Sequence, residues 1–279
     1  MTGAFDELVR RKEREAAAAV LHPYVTDREA RPDDVQAIGN DWTRRLFDGD
    51  FYLSHPTDTS RPACSLVFVQ SSDGNTVARN PSSLGGGETD KHLIYEGLSR
   101  VAADAVMAGA STVAGGKIVF SVWHPELVRL RASLGKPRHP RQIVATLRGV
   151  DLGGAILYNV KELPIALVTV ESARTAMNRA LAERPWISPI VMRSPEGLDD
   201  AFAQLRAIGV ERISCVGGRS LATQLIDAGL VQDVYLTTAP KPGGAAGTPM
   251  YPRPLAASTI VRKAGTVVEQ GVVFEHLKL

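Results

Sequence analysis

Val210-Glu211-Arg212-Ile213-Ser214-Cys215-Val216-Gly217-Gly218-Arg219-Ser220-Leu221 is the stretch that decides how this chain is read. Arg212–Val216 has the short, apolar-rich character of a buried strand. Leu221–Asp227 carries helical spacing and stops near Gly229, a residue type that ends helices. A strand that turns through two glycines into a helix presents bare backbone N–H groups at the positive end of the helix dipole. Arg219 adds a positive charge and Ser220 a hydroxyl, a set that suits a diphosphate. The glycines alone fit a second reading equally, a tight turn with no ligand. Neither G-x-x-x-x-G-K nor G-x-G-x-x-G is present.

Outward from this turn, the same alternation continues. Ser65–Gln70, Ala105–Ala108, Gln142–Leu147, Ile165–Val170, Ser188–Met192 and Asp233–Thr238 read as strands. Glu88–Val101, with Leu93, Ile94 and Leu98 on one side, reads as a helix, as do Ala173–Ala182 and Leu198–Ile208, the last closed by Gly209. Repeated β-α-β units predict an α/β fold with a mostly parallel sheet covered by helices. Ser258–Lys263, Val267–Glu269 and Val272–Leu279 predict antiparallel strands at its C-terminal end. Residues 1–62 differ, and are read as a helical N-terminal extension packed on a main domain of residues 63–279. Phe5, Leu8, Val9, Ala16–Ala19 and Leu21 predict a first helix. Asp33 or Asp34 predicts the cap of a second, with Val35, Ile38, Trp42 and Leu46 on one face. Phe51–Pro62 reads as an irregular linker.

Composition narrows the function classes. The 279 residues are 44% hydrophobic and 22% charged, ordinary for a globular protein with a sizeable core. The 32 basic and 30 acidic residues leave a net charge of +2 with no long basic run, so nothing points to nucleic acid. No apolar stretch is long enough to span a membrane. The charged start MTGAFDELVRRKER lacks the apolar core of a signal peptide, so the cytoplasm is the expected location. Cys64 and Cys215, the only cysteines, are read as reduced, buried thiols. His124-Pro125-Glu126 matches half of the zinc-deaminase signature, but P-C-x-x-C is absent, and no other cluster has metal-ligand spacing. No metal site is expected.

Other turns carry candidate chemistry. After Asp104-Ala105-Val106-Met107-Ala108 come Gly109 and Ala110, which allow close backbone approach, and Thr112, a hydrogen-bond donor. Ser71-Ser72-Asp73-Gly74-Asn75 follows the first main-domain strand. It is a turn, or a place for Asp73 at the mouth of a site on the C-terminal side of the sheet. Ala239-Pro240-Lys241-Pro242-Gly243-Gly244 either connects two strands or covers a ligand.

In order, these stretches resemble the reductase domain of the bacterial riboflavin-pathway deaminase-reductase, which has the dihydrofolate-reductase-like fold. The likeness rests on Ser71-Ser72-Asp73-Gly74, Arg100 four residues before Asp104-Ala105, Gly109-Ala110-Ser111-Thr112, and Gly217-Gly218. It continues through Gly229-Leu230-Val231-Gln232-Asp233 and Ala239-Pro240 with Gly243-Gly244. The resemblance implies an NADP-dependent oxidoreductase. Gly217, Gly218, Arg219, Ser220 and Leu221 would hold the NADPH diphosphate, and Gly109 and Thr112 would line the same cofactor. Leu147 and Arg148 would meet its adenosine end. Asp73, Ser83 and Arg100 would face the substrate, with Asp73, or a water it orients, delivering a proton; the alternative for Arg100 is a pairing with a neighbouring carboxylate at a helix end. The resemblance further implies a homodimer. Three positions depart from the family's pattern. Val216 stands where a Glu is usual, Val113-Ala114-Gly115-Gly116-Lys117 replaces an Asp-Asp-Pro stretch, and Asn75 replaces a Lys. The cofactor side therefore matches better than the substrate side. The expectation is a stand-alone paralogue acting on a pyrimidine or pterin-like small molecule. A dihydrofolate-type reductase and a nucleotide-binding protein without catalysis are the alternatives.

Overall fold

In the computed structural model, residues 2–56, 58–78, 84–114, 116–266 and 269–279 are described. The strands are β1 (Tyr24–Glu29), β2 (Val35–Ile38), β3 (Phe51–Ser54), β4 (Ala63–Gln70), β5 (Ala105–Gly109), β6 (Arg141–Ala145), β7 (Ile165–Val170), β8 (Ile187–Met192), β9 (Arg212–Cys215), β10 (Asp233–Thr238), β11 (Ser258–Gly265) and β12 (Val273–Lys278). Ten of them form one sheet in the order β1-β11-β12-β10-β4-β9-β5-β6-β7-β8. From β10 to β8 all neighbours are parallel. At the other end β12, β11 and β1 add antiparallel. This is the mixed, mostly parallel α/β sheet that the alternation of strands and helices predicts.

The parallel strands are buried on both faces, as crossover helices require. In β5, Ala105 and Met107 face one core with Phe202, Leu205 and Leu225, under helices Leu198–Ala207 and Arg219–Asp227. Val106 and Ala108 face the opposite core, with Phe5, Trp123 and Leu157. A third cluster lies beneath the π-helical stretch Asp90–Leu98, where Leu93, Ile94 and Leu98 pack with Val67, Tyr235 and Phe274. Cys64 and Cys215 are free and buried.

The N-terminal residues depart from the expected helices. The first helix, Thr2–Ala17, is present. The second is not where Asp33 or Asp34 would cap it. Val35 and Ile38 are the buried ends of β2, which pairs antiparallel with β3. Their spacing of three mimicked a helix face. The helix begins later, at Asp41–Phe47, capped by Asn40, whose side chain accepts from the Thr43 N–H at 2.9 Å while Thr43 Oγ1 accepts from the Asn40 N–H at 2.9 Å. Phe51–Ser54, read as linker, is the wholly buried β3. β1 was also unforeseen, and completes the antiparallel edge of the large sheet. Helix Pro125–Ser133 was likewise missed, although Pro125 sits at its first turn. The strand predicted over Val267–Glu269 falls partly on residues 267 and 268, outside the described residues.

Ser54 accounts for the pull of the N-terminal residues onto the sheet. Its hydroxyl donates to Asp233 Oδ1 at 2.6 Å, and His276 Nε2 lies 2.7 Å from the same oxygen. Arg212 donates to the Ser54 carbonyl at 2.8 Å. These buried groups tie β3 to β10, β12 and β9, and satisfy polar atoms that would otherwise be costly to bury.

Candidate functional site

Parallel register brings the C-terminal ends of β9, β5 and β6 side by side. Met107 pairs with Cys215 and Gly109 with Ala145. Beyond the ladder, the Val216 N–H donates to the Met107 carbonyl at 2.9 Å and the Gly109 N–H to the Gly217 carbonyl at 3.0 Å. The Gly-Gly turn is thereby fixed against the end of β5. Gly217 has φ +107°, a conformation that only glycine adopts without strain. The Gly217–Gly218 peptide bond is cis.

Both turns leave bare backbone. A Cβ added at Gly109 would meet no atom within 4 Å, and one at Gly218 only Thr112 Oγ1, at 3.9 Å. These glycines are therefore not needed for internal packing. The Gly109 N–H reaches the Gly217 carbonyl and a Cβ at Gly218 would face Thr112, so these residues meet at one edge of the sheet, although Gly109 and Gly217 are more than a hundred residues apart in sequence. Helix Arg219–Asp227 opens directly from the turn, and its first N–H groups have no partner within the helix. Arg219 is partly committed, since its Nε donates to the Pro249 carbonyl at 2.6 Å. Ser220 is exposed and Leu221 buried. On the other flank, Thr146 Oγ1 donates to the Gly149 carbonyl at 2.9 Å, shaping the turn that displays Leu147 and Arg148. Leu147 is 43% exposed, unusual for a leucine at a strand end, and Arg148 is exposed.

The residues expected to face the substrate divide. Asp73 lies in the turn after β4, at the same edge of the sheet. Its Oδ1 accepts from the Ser71 hydroxyl at 2.5 Å and from the Gly243 N–H at 3.3 Å, joining this turn to the loop after β10. The Ser71 hydrogen bond first, then that of Gly243, holds the carboxyl below its usual range. Asp73 is thus held as a carboxylate near neutral pH. Ser83 lies outside the described residues. Arg100 lies before the start of β5, at the other end of that strand from Gly109. It is 2% exposed, stacks 3.9 Å from the Tyr95 ring centre and donates to the Ser121 carbonyl at 3.1 Å. The physical reason is direction. The helix that carries Arg100 runs back from the C-terminal edge, so its end delivers Arg100 to the start of β5.

One buried acid at the C-terminal edge escaped the sequence reading. Asp90 opens the π-helical stretch, and the Thr237 hydroxyl, near the end of β10, donates to its Oδ1. No turn motif marks it; the only signal is an acid in the first turn of a helix that follows three glycines.

Comparison with known proteins decides the family. The family model for the RibD C-terminal domain matches residues 62–271. The chain belongs to the RibD C-terminal domain family. Among curated proteins, none matches. Among solved structures, it is similar to a pyrimidine reductase-like protein from Corynebacterium diphtheriae (TM-score 0.60, 22% identity, 80% of this chain and 94% of that one). It is also similar to Acinetobacter baumannii RibD (TM-score 0.60, 16% identity, 79% of this chain and 58% of that one). The Saccharomyces riboflavin biosynthesis reductase Rib7 is a third (TM-score 0.54, 15% identity, 80% of this chain and 93% of that one). At these identities the structures share the fold.

A reductase-type RibD C-terminal domain implies a nicotinamide cofactor. The open cradle fits one. Bare glycine backbone, free N–H groups at a helix start, and two arginines lie along three neighbouring strand ends, the position where open α/β sheets take nucleotides. Gly217, Gly218, Arg219 and Ser220 would hold its diphosphate, Gly109 and Thr112 its near side, and Leu147 and Arg148 its far end. When bound, it would supply a hydride. Among the described residues no group of acids, histidines and cysteines is arranged to hold a metal ion, and no helix is long and apolar enough to cross a membrane.

Proposed function

We propose that this protein is an NADPH-dependent reductase of a small heterocycle, a pyrimidine such as 5-amino-6-(5-phosphoribosylamino)uracil or a pterin-like relative. The observation that carries the reading is the bare backbone at Gly109 and Gly218, where the chain's own packing would admit a Cβ and so does not require glycine. Family membership and the likeness to proteins named as pyrimidine and riboflavin-biosynthesis reductases support it. Arg148 favours NADPH over NADH, because an exposed guanidinium at the far flank matches the 2′-phosphate. The chain's work is to bind and align, since hydride transfer asks mainly that donor and acceptor carbons be held about 3–3.5 Å apart.

The test is a titration of the purified protein with NADPH and NADH, followed by turnover assays with the ribosylaminouracil and with dihydrofolate. NADPH is expected to bind at least about tenfold more tightly than NADH, the free energy of one phosphate contact. If neither dinucleotide binds, the cradle is only a pair of turns and the reading fails.

A further inference from the structure

Residues 1–61 lie outside the match to the family model, so family membership does not account for them. Strand register places one part of them at the candidate site. Val25 pairs with Ala264, Ala264 with Val273, Val273 with Thr238 and Thr238 with Gln70, a single level across β1, β11, β12, β10 and β4. Gln70 ends β4 and leads directly into the turn that carries Asp73. The residues before Val25 therefore leave the sheet at its C-terminal edge, as Asp73 does.

This segment is held at both ends. Tyr24 is 1% exposed, with its ring centre 6.4 Å from those of Phe47 and Phe274. The Thr266 hydroxyl donates to the Pro23 carbonyl at 2.6 Å, and the His22 N–H donates to Thr89 Oγ1 at 2.9 Å. Thr89 is buried at the start of a helix whose next residue, Asp90, accepts from Thr237 near the end of β10. At the other end, Ala16 is buried in the last turn of helix Thr2–Ala17, in the cluster that holds Val106 and Ala108 of β5 and Val113 beyond it. That cluster and the one around Tyr24 lie on the sheet face opposite helix Arg219–Asp227. Between its anchors the chain borders the C-terminal edge beside Thr89, across the sheet from the helix that opens at the glycine turn.

The cofactor reading gives this border a use. The far end of the cofactor would lie by Leu147 and Arg148, after β6, and its diphosphate between β5 and β9. Continued in the same direction, past β9, the reacting end would meet β4 and β10, and the substrate with it. Residues 16–21 read AAAAVL, with no charge and no hydrogen-bonding side chain. Val20 is 72% exposed, the most exposed large hydrophobic residue among the described residues, and Leu21 is half-buried. Such a run suits the face of a planar ring and offers a phosphate nothing to bond.

We infer that residues 18–23 form a wall of the substrate pocket, with Val20 and Leu21 against the ring of the heterocycle. The inference rests on the reductase reading above and deepens it: the N-terminal extension is a specificity-determining segment, tied in place by Thr89, Thr266 and the buried Tyr24.

The experiment compares wild type, Val20→Asp and Thr89→Val in the full chain. Fluorescence measures NADPH affinity, thermal melts follow the fold, and KM and kcat are recorded for the ribosylaminouracil and for dihydrofolate. A fourth protein, Val20→Cys, carries an environment-sensitive fluorophore; Cys64 and Cys215 are buried, so the label goes to residue 20. Val20→Asp, which sets a charge against the ring, should raise KM for the reduced substrate at least about fivefold and bind NADPH within about twofold of wild type. Thr89→Val, which frees the His22 N–H, should raise KM in the same sense. The label should change its emission when either substrate is added to the NADP⁺-saturated protein. KM within about twofold of wild type in Val20→Asp overturns the wall, as does a label that no substrate moves. NADPH affinity or melting temperature that falls along with KM in Val20→Asp also overturns it, because the segment would then be a brace for the fold. If wild type binds NADPH and reduces neither substrate, the reductase reading itself fails and the wall falls with it.

Discussion

Replacing Gly109 with valine separates a cofactor cradle from a plain turn. Gly109 sits at φ −70° and ψ 151°, an extended conformation that β-branched residues adopt readily. Its N–H bond to Gly217 would survive, and its Cβ would meet no atom within 4 Å. The fold should therefore change by less than about 0.5 kcal/mol, with a small gain from the stiffer unfolded chain. The isopropyl group would fill the space between the ends of β5 and β9. A diphosphate pushed outward by a side chain loses contact with the N–H groups at the start of Arg219–Asp227. Two charge-assisted hydrogen bonds at about 1.5–3 kcal/mol each amount to about 3–6 kcal/mol, or roughly 10²- to 10⁴-fold in affinity. NADPH titration by fluorescence, with a thermal melt of the same samples, measures both. Unchanged affinity in Gly109→Val would refute the cradle. A large drop in melting temperature would show that Gly109 serves packing instead.

Three further outcomes follow from buried groups. Arg131, 1% exposed, donates to the carbonyls of Pro137, Arg100 and Ala103 at 2.6, 2.7 and 2.7 Å, so Arg131→Met should cost about 3–5 kcal/mol in urea unfolding. Burial, aided by Arg138, pushes the His139 pKa down to about 4. The unfolded chain then binds the extra proton first, so stability should fall by about 2 kcal/mol, discounted for solvent, as pH drops from about 6.5 to 4, and His139→Phe should remove that limb. For Asp90 the sign reverses. Its folded pKa of about 7 lies above the unfolded value near 4, so the folded state holds the extra proton between them. Wild-type stability should fall by at most about 4 kcal/mol as pH rises through that window, while Asp90→Asn stays level there, as pH-dependent urea midpoints would show.

Sequence alone determined the alternation of strand and helix from Ser65 onward, because parallel strands buried on both faces read as short apolar runs bounded by turn residues. It also marked Gly217–Gly218 and Gly109, since glycine is the residue that lets backbone face a ligand. Local pattern failed where two periods coincide. Val35 and Ile38 serve equally as a helix face and as the ends of a four-residue strand, and only pairing with β3 chose between them. Tertiary structure alone decided which distant residues meet. Strand order put Gly109 beside Gly217 and set Arg100 at the start of β5. The same packing buried Asp90 against Thr237 without a cation. A pKa depends on what surrounds a group in space, and that is fixed only when the sheet has formed.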